Sequence, residues 1–107
     1  MKIVFKDTFL HRLENQIEYI SLDSPTRAKN FKNNLLERIR EIPKNPYRYR
    51  QSIYFDDTEI RDLIFKGYTI VFRITKNQIE VFGFLKYQNS AFDSFKNSKD
   101  HFLYGII

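Results

Sequence analysis

EIRDLIFKGYTIVFRITKNQIEVFGFLKYQN, residues 59–89, is the stretch of sequence that decides the fold. Its β-branched and aromatic side chains fall into three runs, which are separated by Lys66-Gly67 and Lys76-Asn77. Gly and Asn tolerate the left-handed backbone that two-residue hairpin turns require. The stretch therefore predicts three consecutive antiparallel strands, at residues 60–65, 68–75 and 79–87.

Two-residue turns also fix which residues of neighbouring strands pair, and hence which side chains share a face. Phe65 is predicted to pair with Tyr68, Arg61 with Phe72, Phe72 with Val81, Ile74 with Ile79, and Ile70 with Gly83. One face then collects apolar residues: Leu63, Phe65, Tyr68, Ile70, Phe72, Ile74, Ile79, Val81 and Leu85. The other face is amphipathic and partly basic: Asp62, Thr69, Val71, Arg73, Glu80, Phe82, Phe84 and Lys86. We expect helices to cover the first face and a partner or substrate to bind the second.

Two amphipathic helices are predicted upstream of this sheet, after a short apolar strand at residues 2–5. The first helix starts with Asp7 or Thr8 as its N-cap and is broken at residues 21–23. Its apolar stripe is Phe9, Leu13, Ile17 and Ile20. Ser24 and Pro25 start the second helix as N-cap and first helical residue. Its stripe is Ala28, Phe31, Leu35, Ile39 and Ile42, and Pro43 ends it. The pair predicts an antiparallel helical hairpin that covers the apolar sheet face.

The segment between helices and sheet alternates tyrosine with arginine as PYRYRQ, residues 46–51. We expect it to be extended and to be followed by a short strand at residues 52–55. The tyrosine rings are suited to stack on bases, and Arg48 and Arg50 are suited to hold phosphates. The whole chain is then predicted to be one α+β domain over residues 1–107, in the order β-α-α-β-β-β-β. Residues 90–107 form a polar C-terminal extension of it.

Composition and charge limit the function. Cys is absent, which excludes disulfides and thiolate chemistry. No apolar run approaches the roughly 18 residues of a membrane span, and we expect a soluble cytoplasmic protein without contact to a membrane. The net charge of +5 is concentrated in residues 26–50, which hold eight Lys or Arg and two Glu. This block favours a polyanion or an acidic protein as partner, or is simply a solvated helix face.

The order of these elements resembles the RelE/ParE superfamily of toxins from type II toxin–antitoxin systems. The resemblance covers residues 2–89. It is carried by the stripe of the second helix, by Pro43 and Pro46, and by three segments of the sheet: IRDL at 60–63, GYTIVFRI at 67–74 and IEVFG at 79–83. It implies a small toxin that is neutralised by a cognate antitoxin in a hetero-oligomer. We expect the antitoxin to supply an apolar helix or strand, and acidic residues that contact Arg38 and Arg40.

The resemblance implies two alternative activities. RelE-like members cut mRNA on the ribosome, which needs cations at the scissile phosphate, a group that activates the 2′-OH and a proton donor. On this interpretation Lys86 and Tyr87 transfer protons, Arg61 completes the catalytic set, and Arg48, Arg50, Arg73 and Gln88 bind RNA. No metal ion or cofactor is expected. The sequence departs from the RelE pattern at Ile64, where relatives often have Arg, and at Phe92 and Phe95, which cannot exchange protons.

ParE-like members inhibit DNA gyrase by binding, and this activity needs no catalytic set. Arg61 fits the ParE-like arrangement better than the RelE-like one. The first interpretation of the sequence is a ribosome-associated endoribonuclease, and the alternative is a gyrase inhibitor. A third interpretation is a non-toxic basic interaction module that kept the fold and lost the activity.

Overall fold

Two antiparallel helices lie on one face of a five-stranded sheet in the computed structural model, which describes residues 1–86. The elements in chain order are β1 (Lys2–Phe5), α1 (Asp7–Asp23), α2 (Pro25–Arg40), β2 (Arg50–Gln51), β3 (Ile60–Phe65), β4 (Tyr68–Ile74) and β5 (Gln78–Lys86). The spatial order of the strands is β1-β5-β4-β3-β2. Only the β1–β5 pair among them is parallel. The predicted α+β class and element order are confirmed.

The start of α2 follows its sequence signals, but α1 continues through Asp23, so the break predicted at residues 21–23 is wrong. The Ser24 side chain accepts a hydrogen bond from the Arg27 N–H at 3.1 Å, and Pro25 occupies the first helical position. The predicted N-cap of α1 is wrong, because Lys6 is the capping residue and its side chain makes no capping bond. Asp7 lies instead in the first turn, where its charge interacts favourably with the helix dipole.

The core lies between the helices and the sheet face that they cover. The stripe predicted for the second helix is buried from Ala28 to Ile42, but α2 ends at Arg40, earlier than predicted, and Ile42 lies in a 3-10 turn at Ile42–Lys44. Leu35, Ile39 and Phe72 are completely buried, and each such side chain contributes roughly 1.5–3 kcal/mol by leaving water. Neither of the described helices is long and apolar enough to cross a membrane.

A β-bulge in β5 corrects the sequence-based register. The predicted pairs of Phe72 with Val81 and of Ile74 with Ile79 are confirmed, as are the predicted pairs between β3 and β4. Ile70, however, pairs with Phe84 and not with Gly83. One extra residue, Phe82, is inserted between the two regular parts of the ladder. Such an insertion moves each later side chain of the strand to the opposite face of the sheet.

The consequence is that Phe84 and Lys86 lie on the helix-covered face and Leu85 on the opposite one. This is the reverse of the prediction for these three residues. Phe84 stacks on Tyr68 at 5.0 Å between ring centroids and meets the edge of Phe9 at 5.9 Å. The bulge therefore brings the end of β5, including Lys86, to the side of the sheet where α1 lies.

The opposite sheet face was predicted to be a binding surface, and this is wrong for its centre. Asp62, Thr69 and Val71 are 2%, 1% and 0% exposed. The strand predicted at residues 52–55 is also wrong. β2 ends at Gln51, and residues 52–55 turn across this sheet face. The Tyr54 hydroxyl is hydrogen-bonded to Thr69, and Phe55 meets the Phe82 ring at 5.8 Å. A 3-10 turn at Pro46–Arg48 likewise replaces part of the predicted extended segment.

Candidate functional site

A groove between α1 and the ends of β4 and β5 is a concave surface that adjoins the predicted site residue Lys86. It consists of two adjoining hollows of about 560 and 320 Å³, which share Gln16, Tyr19, Tyr68 and Lys86 in their walls. We call it the α1–β5 groove. Its remaining lining residues are Arg12, Asn15, Ile20, Leu22, Asp23, Arg27 and Phe84. Lys86, predicted as catalytic, is exposed at this groove and pairs with Tyr68 across the strands.

Tyr68 is the polar group at the floor of the groove. Its ring packs against Phe31 and Phe84, at 5.2 and 5.0 Å between centroids. Burial raises the pKa of the Tyr68 phenol, and its hydrogen bond with Gln16 acts in the opposite direction. The hydroxyl therefore remains neutral at physiological pH and offers a hydrogen bond rather than a charge.

Arg61 is bound to the backbone of the loops on both sides of β2. Its Nε donates to the Thr58 carbonyl at 2.8 Å, and its Nη1 donates to the carbonyls of Tyr47 at 3.3 Å and Tyr49 at 3.0 Å. The guanidinium also lies 5.0 Å from the centre of the Tyr47 ring. These bonds to three carbonyl oxygens use N–H donors that a catalytic arginine would direct at a phosphate. The geometry is therefore that of an arginine that stabilises the surrounding backbone.

The Tyr-Arg segment around it is folded onto the protein. The Tyr47 hydroxyl donates to the Glu59 carboxylate, and this hydrogen bond raises the pKa of Tyr47. The Tyr49 ring meets the Phe72 ring edge-on at 5.5 Å, and it is partly buried against the core. Arg48 is exposed and its guanidinium lies 5.1 Å from the Tyr49 ring. Its Nη2 also donates to the Tyr49 hydroxyl at 3.2 Å, so the Arg48 guanidinium is held by the neighbouring ring and hydroxyl.

Arg50, predicted to hold phosphate, is paired with a buried carboxylate. Its Nη2 and Nε lie 3.1 and 3.2 Å from Oδ2 of Asp62, whose side chain is 0% exposed. The Ile53 N–H donates to the same oxygen at 3.3 Å. Among the described residues, Oδ1 of Asp62 has no hydrogen-bond partner. The ion pair ties β2 to β3, and the Ile53 N–H bond ties the segment after β2 to the same carboxylate.

The remaining predicted arginines are exposed on different elements. Arg73 pairs with Glu80 across the strands as predicted, and its guanidinium lies 6.0 Å from the Phe82 ring. Arg38 donates to the Ile64 carbonyl at 3.4 Å and lies 5.9 Å from the Phe65 ring. Arg40 is exposed in the last turn of α2.

The surface around Arg38 carries both signs of charge. A hollow of about 450 Å³ beside it is lined by Asn34, Glu37, Arg38, Glu41, Phe65 and Lys66. Lys44 donates to the Glu41 carboxylate at 2.9 Å, which lowers the pKa of Glu41. The basic block at residues 26–50 is therefore interrupted by the acidic residues Glu37 and Glu41 near its middle.

The candidate catalytic residues are not brought together within the described part of the chain. Lys86 is level with Tyr68, whereas Arg61 is level with Phe72, two strands across and four residues along the sheet. This places the Lys86 and Arg61 Cα atoms roughly 16 Å apart. Tyr87 and Gln88 lie outside the described residues. Within residues 1–86, no three Asp, Glu or His side chains come close enough together to hold a metal ion.

Two exposed apolar residues at the groove were missed in the sequence. Tyr19 is 67% exposed and Leu22 is 83% exposed, and both line the groove. The signal that was available is their spacing: they are three residues apart, on the same side of α1, and off the stripe that faces the core. Large apolar side chains outside a helix's core stripe favour a binding surface when they adjoin a concavity.

The helical hairpin on a five-stranded sheet, with one parallel and three antiparallel strand pairs, is the architecture of RelE/ParE-type toxins. A family model described as the ParE toxin of the type II toxin–antitoxin system, parDE, matches residues 3–89. The chain belongs to this family. It is therefore a toxin of a type II toxin–antitoxin system, and its partner is a cognate antitoxin. No curated protein sequence matches the chain.

Proposed function

We propose that this toxin arrests growth by binding DNA gyrase and that it breaks no bond in RNA. The observation that carries the proposal is the engagement of two of the three arginines on the described strands: Arg61 binds backbone carbonyls and Arg50 binds Asp62. A ribonuclease needs cations and proton-transfer groups converging on one phosphate within hydrogen-bond reach. A binding toxin needs only a surface, and the ParE description of the matched family supports this alternative.

The ribonuclease hypothesis stays a prediction, and it depends on Lys86 and Tyr87. Lys86 lies at a groove and is exposed, which is compatible with contact to a substrate. The non-toxic module is the weaker hypothesis, because membership of a toxin family matches an active role better. Gyrase and the antitoxin are both found in the cytoplasm, and we place the toxin there with them.

The direct test is a plasmid supercoiling assay with purified gyrase and the purified full-length chain. We expect supercoiling to be inhibited at concentrations close to that of the gyrase. Primer extension on mRNA from a translation reaction containing the same chain should show no new 5′ ends. New ends in the mRNA together with unaffected supercoiling would contradict the proposal and establish the ribonuclease.

A conservative double variant, Lys86→Arg with Tyr87→Phe, separates the two chemistries at the candidate catalytic residues. The variant keeps the positive charge and the aromatic ring but removes the phenol and the titratable amine. A binding toxin should keep its toxicity within about threefold. A proton-transfer site should lose roughly 10²–10⁴-fold. Growth after graded induction in bacteria without antitoxin measures the difference, and a loss of two orders of magnitude would support the ribonuclease.

A charge reversal on α2, Arg38→Glu with Arg40→Glu, tests where the acidic part of the antitoxin binds. We expect the Kd for the antitoxin to rise about tenfold at 50 mM salt and less at 300 mM, because exposed charges are screened. The matched control is Lys29→Glu with Lys32→Glu, which makes the same charge change on the exposed face near the start of the same helix. Equal weakening by both pairs would indicate a general charge effect and no local contact.

A further inference from the structure

Four exposed polar residues form a basic face on α2. Lys29, Asn33 and Arg40 recur at intervals of four and seven residues, and all three are exposed. At 3.6 residues per turn they lie within an arc of about 40° around the helix axis, and exposed Lys32 lies about 60° to one side of Lys29. We call these four residues the basic face of α2. The buried residues of the helix lie outside this arc: Ala28, Phe31, Leu35 and Ile39.

The three cations of this face have no acidic partner among residues 1–86. The ion pairs found there join Arg27 with Asp23, Lys44 with Glu41 and Arg50 with Asp62. Glu37 is three residues before Arg40, a spacing at which opposite charges can pair, but the two form no ion pair. Lys29 and Lys32 have the same spacing and repel each other. A helix face that is only solvated usually mixes both signs of charge, so this distribution favours a polyanionic partner.

The polarity of the basic face favours a nucleic acid over an acidic protein. None of the exposed large apolar residues that the structure describes lies on α2. Protein interfaces generally have an apolar core, whereas nucleic-acid interfaces are more polar and strongly positive. Asn33 lies between Lys29 and Arg40, where its amide is suited to donate to a phosphate oxygen. From Lys29 to Arg40 the helix rises about 16 Å, which corresponds to about five nucleotides of one DNA strand.

We propose that the basic face of α2 binds the phosphate backbone of duplex DNA. The choice of duplex DNA rests on the proposed function, because gyrase acts on duplex DNA and a toxin bound to gyrase lies close to that DNA. Lys29, Lys32 and Arg40 contact phosphates, so the binding is independent of sequence and falls steeply with salt. Arg40 is also a predicted antitoxin contact, and an antitoxin bound there excludes DNA from this face.

The test measures binding of the purified full chain to a fluorescent DNA duplex of about 20 base pairs and mixed sequence, by anisotropy at several salt concentrations. Three phosphate contacts give a slope of log K against log salt of about −2.7, so the affinity should fall about 40-fold between 50 and 200 mM salt. The variant with Lys29→Gln, Lys32→Gln and Arg40→Gln should bind at least about tenfold more weakly at 50 mM salt, and its slope should be shallower than about −1.

The matched control removes the same number of charges at the opposite side of the sheet. It carries Lys2→Gln, Lys6→Gln and Lys76→Gln, three exposed lysines on or next to β1 and in the turn before β5. The control should bind DNA within about threefold of the unmodified chain. Equal weakening by the two triple variants would indicate a general charge effect and overturn the proposal. Tighter binding of a matched RNA duplex, lost in the α2 variant, would assign the face to RNA and also overturn it.

A crosslinking experiment protects the test against variants that fold poorly. A benzophenone amino acid is introduced at position 33 or 76 of the full chain, which is then mixed with the same DNA duplex and irradiated. We expect crosslinks to DNA from position 33 and none from position 76, and the reverse pattern would overturn the proposal.

The supercoiling assay on the unmodified chain separates this inference from the proposed function. A chain that inhibits supercoiling, and whose α2 variant binds DNA unchanged, overturns the DNA contact alone. A chain that leaves supercoiling unaffected overturns the gyrase proposal, and the loss of DNA binding in the α2 variant would still support the contact.

Discussion

Replacement of Arg61 by methionine is expected to lower the free energy of unfolding by about 2–3 kcal/mol and to leave inhibition by the folded protein unchanged. The loss follows from three hydrogen bonds of a charged donor to the carbonyls of Thr58, Tyr47 and Tyr49. The expected loss in free energy of unfolding is smaller than three fully buried bonds of this kind would give, because Arg61 is only partly buried. Methionine keeps much of the apolar stem that covers the neighbouring rings.

Urea denaturation followed by fluorescence of the tyrosines measures the first part of this prediction. Gyrase inhibition at 15 °C, where the variant remains folded, measures the second. Arg73→Met on the adjacent strand is the matched control, since Arg73 is exposed and its change should cost less than about 0.5 kcal/mol. A variant at position 61 with unchanged stability and a hundredfold loss of inhibition would place Arg61 in the contact with gyrase and contradict the structural role.

Replacement of Arg50 by methionine is the second change with a large expected effect. It leaves the Asp62 carboxylate buried without its cation, which for a fully buried pair costs about 3–5 kcal/mol. We expect about 2–3 kcal/mol, because the Arg50 side chain is 46% exposed and water partly replaces it. Arg48→Met, two residues earlier on an exposed arginine, should cost less than about 0.5 kcal/mol.

A double-mutant cycle with Asp62→Asn identifies the cause. Once the carboxylate is neutral, the loss of Arg50 should matter less, so the two changes together should cost less than the sum of the single changes by at least about 1 kcal/mol. Additive costs would mean that Arg50 stabilises the protein by packing and not through the ion pair. The readout is again urea denaturation, at 50 mM salt.

Much of the fold was predictable, because two hairpin turns of known length fix the sheet. Lys66 and Gly67 both have positive φ, at 47° and 83°, as a tight turn requires. The pairs of Phe65 with Tyr68 and of Phe72 with Val81 follow from those turns and are confirmed. The apolar stripe predicted for the second helix was equally informative, since its residues are buried from Ala28 on α2 to Ile42 in the following 3-10 turn.

The bulge at Phe82 was not predictable from the local pattern. Val81, Phe82, Phe84 and Leu85 are all apolar, so either face of the strand could have been the core face. The three-dimensional packing of Phe84 between Tyr68 and Phe9 selects the bulged register. The position of Lys86 at the groove depends on this choice, and so does the candidate site.

The arginines could not be assigned from the sequence because their partners are distant in the chain. Arg61 bonds to carbonyls at residues 47 and 49, and Arg50 to the carboxylate of residue 62. Spacing along a strand predicts which face of the sheet a side chain lies on. It does not predict which loop, distant in the chain, contacts that side chain. The same limitation applies to Asp62, which the sequence placed on an open polar face and which is buried under residues 52–55.

Pulse incorporation of labelled thymidine and methionine, after induction of the full chain in bacteria without antitoxin, tests the central claim most directly. A gyrase inhibitor stops DNA synthesis first, so we predict that thymidine incorporation falls within minutes and that cells become filamentous before methionine incorporation declines. An immediate fall in methionine incorporation, with thymidine incorporation following late, would place the target in translation and contradict the account.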